Sequence, residues 1–328
     1  MKLRGTGLLP ADVLFLAYMG ATAALALFSG GTWGPGLALG HGLAMGGIFF
    51  LRGRPHPRGR LTAFLRVAYP VVLIPLLYLE LARLNHVLNP GYFDADVQRW
   101  EELLFGVQLS MKASEWFPFT WLSELLHLGY FSYYLIVPTA LIGTMITRGP
   151  AAVHRVALAT ALAFFVSYTV FLIFPVAGPR YSFPAIQGAI SEGRFYSLVH
   201  AVLESGSSKG TAFPSSHIAA SATAVLAAAR EDRRWLWCLL PAELALAAGT
   251  VYGRFHYGVD ALAGCVLAVT VLVSSPRVER RLAGMAAWLE RGRSTAGSEP
   301  PAGGGEPHGR GTAAPAGQPE PGAGYPSR

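Results

Sequence analysis

The sequence predicts an all-α membrane protein, a polytopic bundle of about eight transmembrane helices. Two properties of the composition predict this class: 52% of the residues are apolar and only 14% are charged, against about 25% charged in soluble domains. In addition, apolar runs of roughly 17 to 25 residues, enough to cross a hydrocarbon core of about 30 Å, recur along most of the chain. A length of 328 residues therefore leaves no room for a separate large soluble domain.

Charged or Gly/Pro-rich breaks separate the eight predicted helices, whose ends are defined to within a few residues. The helices cover residues 11–30, 35–51, 65–84, 118–147, 152–175, 214–230, 235–253 and 257–275. The first follows Lys2 and Arg4, as a signal peptide would. No convincing small-residue cleavage site precedes the next apolar run, so an uncleaved first helix is favoured.

Positive charges divide unequally between the two sides of this bundle. With the N-terminus in the cytoplasm, 19 of the 26 Lys and Arg residues fall on the cytoplasmic side. The outer residues are Arg83, Arg99, Lys112, Arg180, Arg194, Lys209 and Arg254. Such a bias sets insertion orientation, and it accounts for the net charge of +7 without a nucleic-acid partner. We therefore expect a multi-pass protein of the plasma (inner) membrane with both termini cytoplasmic.

Three further segments lie outside the spans. Residues 89–117 mix Trp100 and Phe105 with acidic residues, a pattern typical of an amphipathic piece lying along the membrane interface. Residues 176–213 form a second long outer loop. The tail from about Ser294 consists mainly of Pro, Gly and Ala without aliphatic periodicity, which predicts disorder. Two cysteines within apolar runs give no disulfide framework.

A histidine and an aspartate stand four residues apart at the start of the last predicted helix. His256 and Asp260 would lie on the same side of that helix, one turn from each other. A carboxylate there accepts the proton of one ring nitrogen and leaves the other with a lone pair for a substrate. Alone, the pair is equally consistent with a helix start made polar by His and Asp.

Two more polar clusters are predicted on the same outer face. Pro214 suits the first turn of a helix, and the backbone N–H groups of Ser215 and Ser216 form an anion site beside His217. Arg180 provides fork geometry suited to phosphate oxygens. A capped helix start and a headgroup-anchoring arginine are the simpler readings of each cluster alone. Together, the three clusters favour one phosphate site.

These residues resemble the type 2 phosphatidic acid phosphatase superfamily, whose three motifs occur in this order on a six-helix bundle. Here the motifs read GPRY, FPSSH and HYGVD. The resemblance covers about residues 65–275. It implies two additional N-terminal helices and a basic loop (1–64), a six-helix phosphatase-type core (65–275) and a cytoplasmic tail (276–328).

The resemblance also implies roles for individual residues. His256 would be the nucleophile oriented by Asp260, and His217 would protonate the leaving group. Arg180 would hold the phosphate oxygens, helped by the main-chain amides of Ser215 and Ser216 and by Arg254 or Lys209. The substrate would be a lipid phosphate or phospholipid of the outer leaflet, processed through a phosphohistidine without metal or cofactor. The active site would face the extracytoplasmic side.

Two departures point to one branch of the superfamily. The hydrolases have a lysine where this chain has Ile173 and an arginine where it has Thr250. Without those charges the motifs look more like the inositol phosphorylceramide synthase branch, an inositolphosphotransferase. Hydrolysis and transfer both stay open, because they share the first half of the mechanism.

Two other interpretations give these polar residues a role other than catalysis. A transporter would use His217, His256 and Asp260 as a proton relay, although helix starts and the absence of an internal repeat count against it. A catalytically dead scaffold would have lost a member of this triad, and none is lost. Other polar residues in or near spans are expected to make interhelical hydrogen bonds: Glu80, Glu124, His127 and Glu243.

Overall fold

A computed structural model describes residues 7–54 and 59–296. This part of the chain is helical apart from connecting loops and one isolated bridge between Val176 and Thr211, so the predicted all-α class is confirmed. The helices are α1 (Pro10–Phe28), α2 (Gly34–Gly53), α3 (Arg60–Leu79), α4 (Leu81–Leu88), α5 (Asp94–Phe105), α6 (Leu109–Trp116), α7 (Thr120–Phe131), α8 (Tyr133–Arg148), α9 (Pro150–Ile173), α10 (Pro179–Ser182), α11 (Arg194–Gly206), α12 (Ser216–Glu231), α13 (Arg234–Tyr252) and α14 (Gly258–Ala296). A 3-10 turn covers Ala189–Ser191.

Six helices of the described chain are long and apolar enough to cross a membrane, namely α1, α2, α3, α9, α13 and α14. Helices α7 and α8 count as a seventh, bent by 46°. The single helix predicted over 118–147 is therefore broken, and the break lies at Ser132. The Ser132 hydroxyl donates to the Gly129 carbonyl 2.6 Å away, and such a bond competes with the main-chain hydrogen bonds of the helix. Helix α12 has 16 residues, fewer than the roughly 17 of a full span.

Two other predicted boundaries are corrected. The third predicted helix, 65–84, is interrupted at Glu80, where α3 gives way to α4. The last predicted helix continues past Pro276 to Ala296 instead of ending at 275, because the charged residues that end the apolar run are themselves good helix formers. Residues 297–328, which hold nearly all of the tail predicted to be disordered, lie outside the described residues.

Helices α9 and α12 form the centre of the bundle. In α9, 72% of the apolar span is buried, and α12 packs on it through buried alanines that allow close helix approach. Gly264 of α14 is required at the next contact, because a Cβ there would lie 2.8 Å from the Ser215 carbonyl oxygen. The starts of α12 and α14 are thereby held side by side.

The N-terminal helices are joined to one another and to α3 by buried polar pairs. Arg52 of α2 donates to Asp12 of α1, with Nε and Oδ2 2.6 Å apart, and the Tyr69 hydroxyl of α3 donates to the same carboxylate. His41 of α2 and Glu80 are 2.8 Å apart, which confirms the interhelical bonding expected of Glu80. These contacts satisfy ionisable groups that are costly inside a membrane.

The site residues predicted from the sequence lie at one end of the bundle. Helices α3, α9 and α13 finish there, and α12 and α14 begin there. The segment predicted to be amphipathic, 89–117, contributes α5 and α6 at this end.

Candidate active site

A small pocket opens where these helix ends meet. It is lined by Tyr78, Tyr130, Ala177, Arg180, Tyr181, Leu203, Ser207, Ser208, Thr211, Ala212, His217, Phe255 and His256. The pocket volume is about 50 Å³, and one water needs roughly 10 to 15 Å³. The pocket is therefore large enough for a group of a few non-hydrogen atoms, such as a phosphoryl group.

His256 lies in the short loop between α13 and α14 and is 4% exposed. Its Nδ1 is 2.8 Å from the Ala212 carbonyl oxygen and 3.5 Å from Asp260 Oδ2. The spacing predicts both residues on one helix, but His256 precedes Gly258, the first residue of α14. The main-chain carbonyl of Ala212 is the nearer acceptor, while Asp260 Oδ2 accepts the Tyr257 N–H at 2.8 Å.

The environment of His256 favours a neutral imidazole. Burial lowers its pKa to about 4, and the hydrogen bond to the Ala212 carbonyl opposes this shift only in part. Near neutral pH the ring therefore carries one proton, on Nδ1, where the carbonyl accepts it. Nε2 then has a lone pair and is the nitrogen left to face the pocket, which is the state that a nucleophile needs.

His217 lies in the first turn of α12 and faces His256 across the pocket. The two ring centroids are 5.7 Å apart and the ring planes meet at 65°. The Tyr130 hydroxyl is 3.3 Å from His217 Nε2, and the edge of Tyr133 packs on the imidazole with centroids 4.5 Å apart. In the described part of the chain, Nδ1 of His217 is buried without a hydrogen-bond partner.

Arg180 supplies the positive charge of the pocket. It follows the Val176–Thr211 bridge and Gly178, whose φ of +98° favours glycine. Its Nη1 donates to the Ser207 hydroxyl at 3.4 Å, and no carboxylate pairs with it among the residues described. The guanidinium is thus available to an anion in the pocket.

The sequence predicts free main-chain N–H groups at both serines before His217, and the structure differs at Ser215. Ser215 is the N-cap of α12: its hydroxyl accepts from the Ile218 N–H at 3.5 Å. Its own N–H donates to the Asp260 carbonyl at 3.0 Å. That amide is therefore engaged within the protein, and it ties the histidine helix to the start of α14. Ser216 is the first residue of α12 and is also buried.

Arg254 and Lys209 do not line the pocket. Arg254 has the left-handed φ of +58°, and its guanidinium donates to the Pro184 carbonyl at 2.7 Å and to the Ser114 hydroxyl at 3.2 Å. Lys209 is near the rim, with Nζ 5.4 Å from the ring centroid of Tyr181, which lines the pocket. The structure thus brings Arg180, His217, His256 and Asp260 together and directs Arg254 toward other loops.

A sequence model of the PAP2 superfamily matches residues 96–274, more than half of the chain. The chain belongs to the PAP2 superfamily. No curated protein and no solved structure matches the chain. Membership in the PAP2 superfamily supports a phosphatase-type activity on lipid phosphates, and all eight site residues predicted from the sequence lie within the matched range.

Several groups around this PAP2 site carry no motif signal. The Ala212 carbonyl cannot be predicted from the pattern of side chains, and Tyr130 belongs to none of the three motifs. Asp94 and Glu101 are among the acidic residues of segment 89–117, which the sequence predicts to lie along the membrane interface. Among the described residues, no three His, Cys, Asp or Glu side chains form a group that could hold a metal ion.

Proposed function

We propose that this member of the PAP2 superfamily cleaves a lipid phosphate ester through a phosphohistidine on His256. The observation that carries the proposal is the pair of imidazoles 5.7 Å apart across a pocket that also contains Arg180. A nucleophile approaches phosphorus at about 3 to 3.5 Å, and a general acid reaches the leaving oxygen at about 2.6 to 3.2 Å. Rings at this separation can flank one phosphoryl group.

The first step is an in-line displacement. Nε2 of His256 attacks phosphorus and forms the N–P bond while the bond from phosphorus to the lipid oxygen breaks. Burial and the neighbouring His256 lower the pKa of His217 to about 3, so its acid form requires the negative charge of a bound phosphate, which favours a protonated imidazole. Protonated His217 then gives its proton to the departing oxygen, so an alcohol leaves. Arg180 holds the non-bridging oxygens, and the developing imidazolium charge on His256 is balanced by the Ala212 carbonyl and Asp260.

The second step regenerates the enzyme. His217, now neutral, takes a proton from an incoming hydroxyl, whose oxygen attacks phosphorus and breaks the N–P bond. Water as the incoming group gives hydrolysis, and an acceptor alcohol gives transfer. Transfer to a hydroxyl, with inositol phosphate as the transferred group, is supported by the uncharged Ile173 and Thr250. Thr250 is buried and bonds the Leu246 carbonyl at 2.7 Å.

Arg180, which lines the pocket, is our candidate for contact with phosphate. Ser216 does not line the pocket, and only its main-chain N–H at the start of α12 is proposed to face the anion. Lys209 is assigned to the rim, where it would meet the remainder of the headgroup. Ser215 and Arg254 are assigned to holding the loops, in keeping with their hydrogen bonds. The positive-inside distribution of arginines supports an extracytoplasmic pocket that takes its substrate from the outer leaflet of the plasma membrane.

The test is turnover by the purified chain in detergent. Phosphatidic acid, polyprenyl pyrophosphate, and phosphatidylinositol with a hydroxyl acceptor are each incubated with and without EDTA. We expect EDTA-resistant turnover of at least one substrate, abolished by His256→Ala and strongly reduced by His217→Ala. His86→Ala changes an exposed histidine outside the pocket and serves as the matched control. Absence of turnover with all three, or equal loss in the control, contradicts the proposal.

A further inference from the structure

Two loops of the site must keep fixed positions relative to each other. One carries Arg180, and the other carries His256. Helix α5, which belongs to no motif, contacts both. Resting on the proposed function, we propose that α5 is a positioning helix: Asp94 fixes the phosphate-binding loop and Glu101 fixes the nucleophile loop.

Asp94, the first residue of α5, binds the loop that leads into Arg180. Its Oδ2 accepts the Ala177 N–H at 2.8 Å, and its Oδ1 accepts the Gly178 N–H at 2.8 Å. The same Oδ1 accepts the Tyr257 hydroxyl at 3.0 Å. One carboxylate thus links the residues just before Arg180 to the residue just after His256.

Glu101, two turns further along α5, binds the other loop. The side chain is fully buried. Its Oε2 accepts the Val259 N–H at 3.0 Å and its Oε1 accepts the Ser110 N–H at 3.1 Å. Val259 is in the first turn of α14, whose free N–H groups need acceptors and whose dipole favours a negative charge. Glu101 therefore fixes the start of the helix that follows His256.

The spacing of these residues places them on one face of α5. Asp94, Gln98 and Glu101 are separated by four and three residues, so they lie in a row, and Gln98 donates to the Tyr257 hydroxyl at 2.9 Å. The exposed side of α5 includes Leu103 and Leu104, which are 77% and 59% exposed. Asp94, Gln98 and Glu101 thus lie on the inward face of α5, beside Val97, which is fully buried.

Main-chain N–H groups bonded to a carboxylate are held more strongly than those bonded to a neutral acceptor. Replacing Asp94 by asparagine puts an amide NH₂ against a main-chain N–H, which releases the loop of Arg180. Replacing Glu101 by glutamine does the same at the start of α14. The two changes should therefore disturb different steps: phosphate binding in the first case and attack by His256 in the second.

The experiment compares matched variants of the purified full chain. Binding of inorganic phosphate is measured by calorimetry, and kcat and KM are measured with a soluble phosphate monoester. Asp94→Asn should weaken phosphate binding by about tenfold, the equivalent of one charged hydrogen bond. Glu101→Gln should lower kcat by about tenfold while phosphate affinity stays within about twofold. Asp96→Asn and Glu102→Gln make the same charge change on the same helix and should alter neither value by more than about twofold.

A role in folding alone predicts a different pattern. It would lower the yield and the melting temperature, while the folded fraction would keep wild-type phosphate affinity and kcat; that pattern overturns the proposal. Equal losses in the matched controls also overturn it. If the wild-type chain binds phosphate without turning over any ester, the proposed function fails, whereas the phosphate affinity of Asp94→Asn still tests the positioning role.

Discussion

Arg180→Gln is the substitution whose effect follows most directly from the structure. The guanidinium makes one long hydrogen bond, to Ser207, and has no carboxylate partner among the described residues. Its removal therefore leaves no buried charge unpaired and should not destabilise the fold. A hydrogen bond to a charged group contributes about 1.5 to 3 kcal/mol. At about 1.4 kcal/mol for each factor of ten, loss of this contact to phosphate should lower kcat/KM roughly 10- to 150-fold.

The assay is release of phosphate from a soluble monoester by purified protein, with the melting temperature recorded for each variant. Arg194→Gln is the control, because Arg194 is exposed at the start of α11, within the same outer segment 176–213, and does not line the pocket. We expect the control to keep wild-type kcat/KM. If Arg180→Gln keeps kcat/KM within about threefold of wild type, the assignment of Arg180 to the phosphate is refuted.

Three other outcomes are expected. Arg254→Gln should lower the melting temperature by about 5 °C through loss of its loop contacts and leave phosphate affinity unchanged. Reduced phosphate affinity at unchanged melting temperature would instead assign Arg254 to phosphate binding. Burial lowers the pKa of His256 to about 4, so the acidic limb of kcat/KM due to this residue should lie near pH 4. The stability of the fold should decrease as the pH falls from 6.5 to 4, because only the unfolded chain binds that proton in this range. An acidic limb near pH 6.5 would contradict this expectation. Tyr130→Phe should lower kcat roughly 2- to 10-fold through the lost contact to His217, whereas Tyr134→Phe should not.

Much of the fold could be predicted because long apolar runs are encoded locally. Each of the eight predicted helices has a counterpart in the structure. The break at Ser132 could not be foreseen, since many serines inside helices bond a preceding carbonyl without breaking the helix. The extension of α14 past Pro276 was missed because the prediction followed hydropathy, and helix formation continues where hydropathy ends.

Part of the candidate site could likewise be predicted from the sequence, and part could not. The motifs led to the residues that converge on the pocket, because phosphate chemistry restricts the side chains that can serve it. Three features depended on backbone geometry instead: the Ala212 carbonyl bound to His256, the Ser215 N–H bound to the Asp260 carbonyl, and the left-handed conformation of Arg254. No spacing rule reports where a main-chain carbonyl points.

The sequence predicts an amphipathic segment over 89–117, but it does not predict the direction in which the polar residues of α5 are turned. A row of polar residues at helical spacing on an amphipathic segment is usually the solvated face. Here the carboxylates share the buried face with Val97 and accept main-chain N–H groups of two loops. Only the contacts reveal the direction in which the helix is turned.

The central claim is covalent transfer of the phosphoryl group to His256. Rapid quenching of the enzyme during turnover of a phosphate-labelled substrate, followed by peptide mapping, tests it directly. We expect acid-labile, base-stable label on the peptide that contains His256, and none in His256→Ala. Label on another residue, or turnover at the wild-type rate by His256→Ala, would contradict the account.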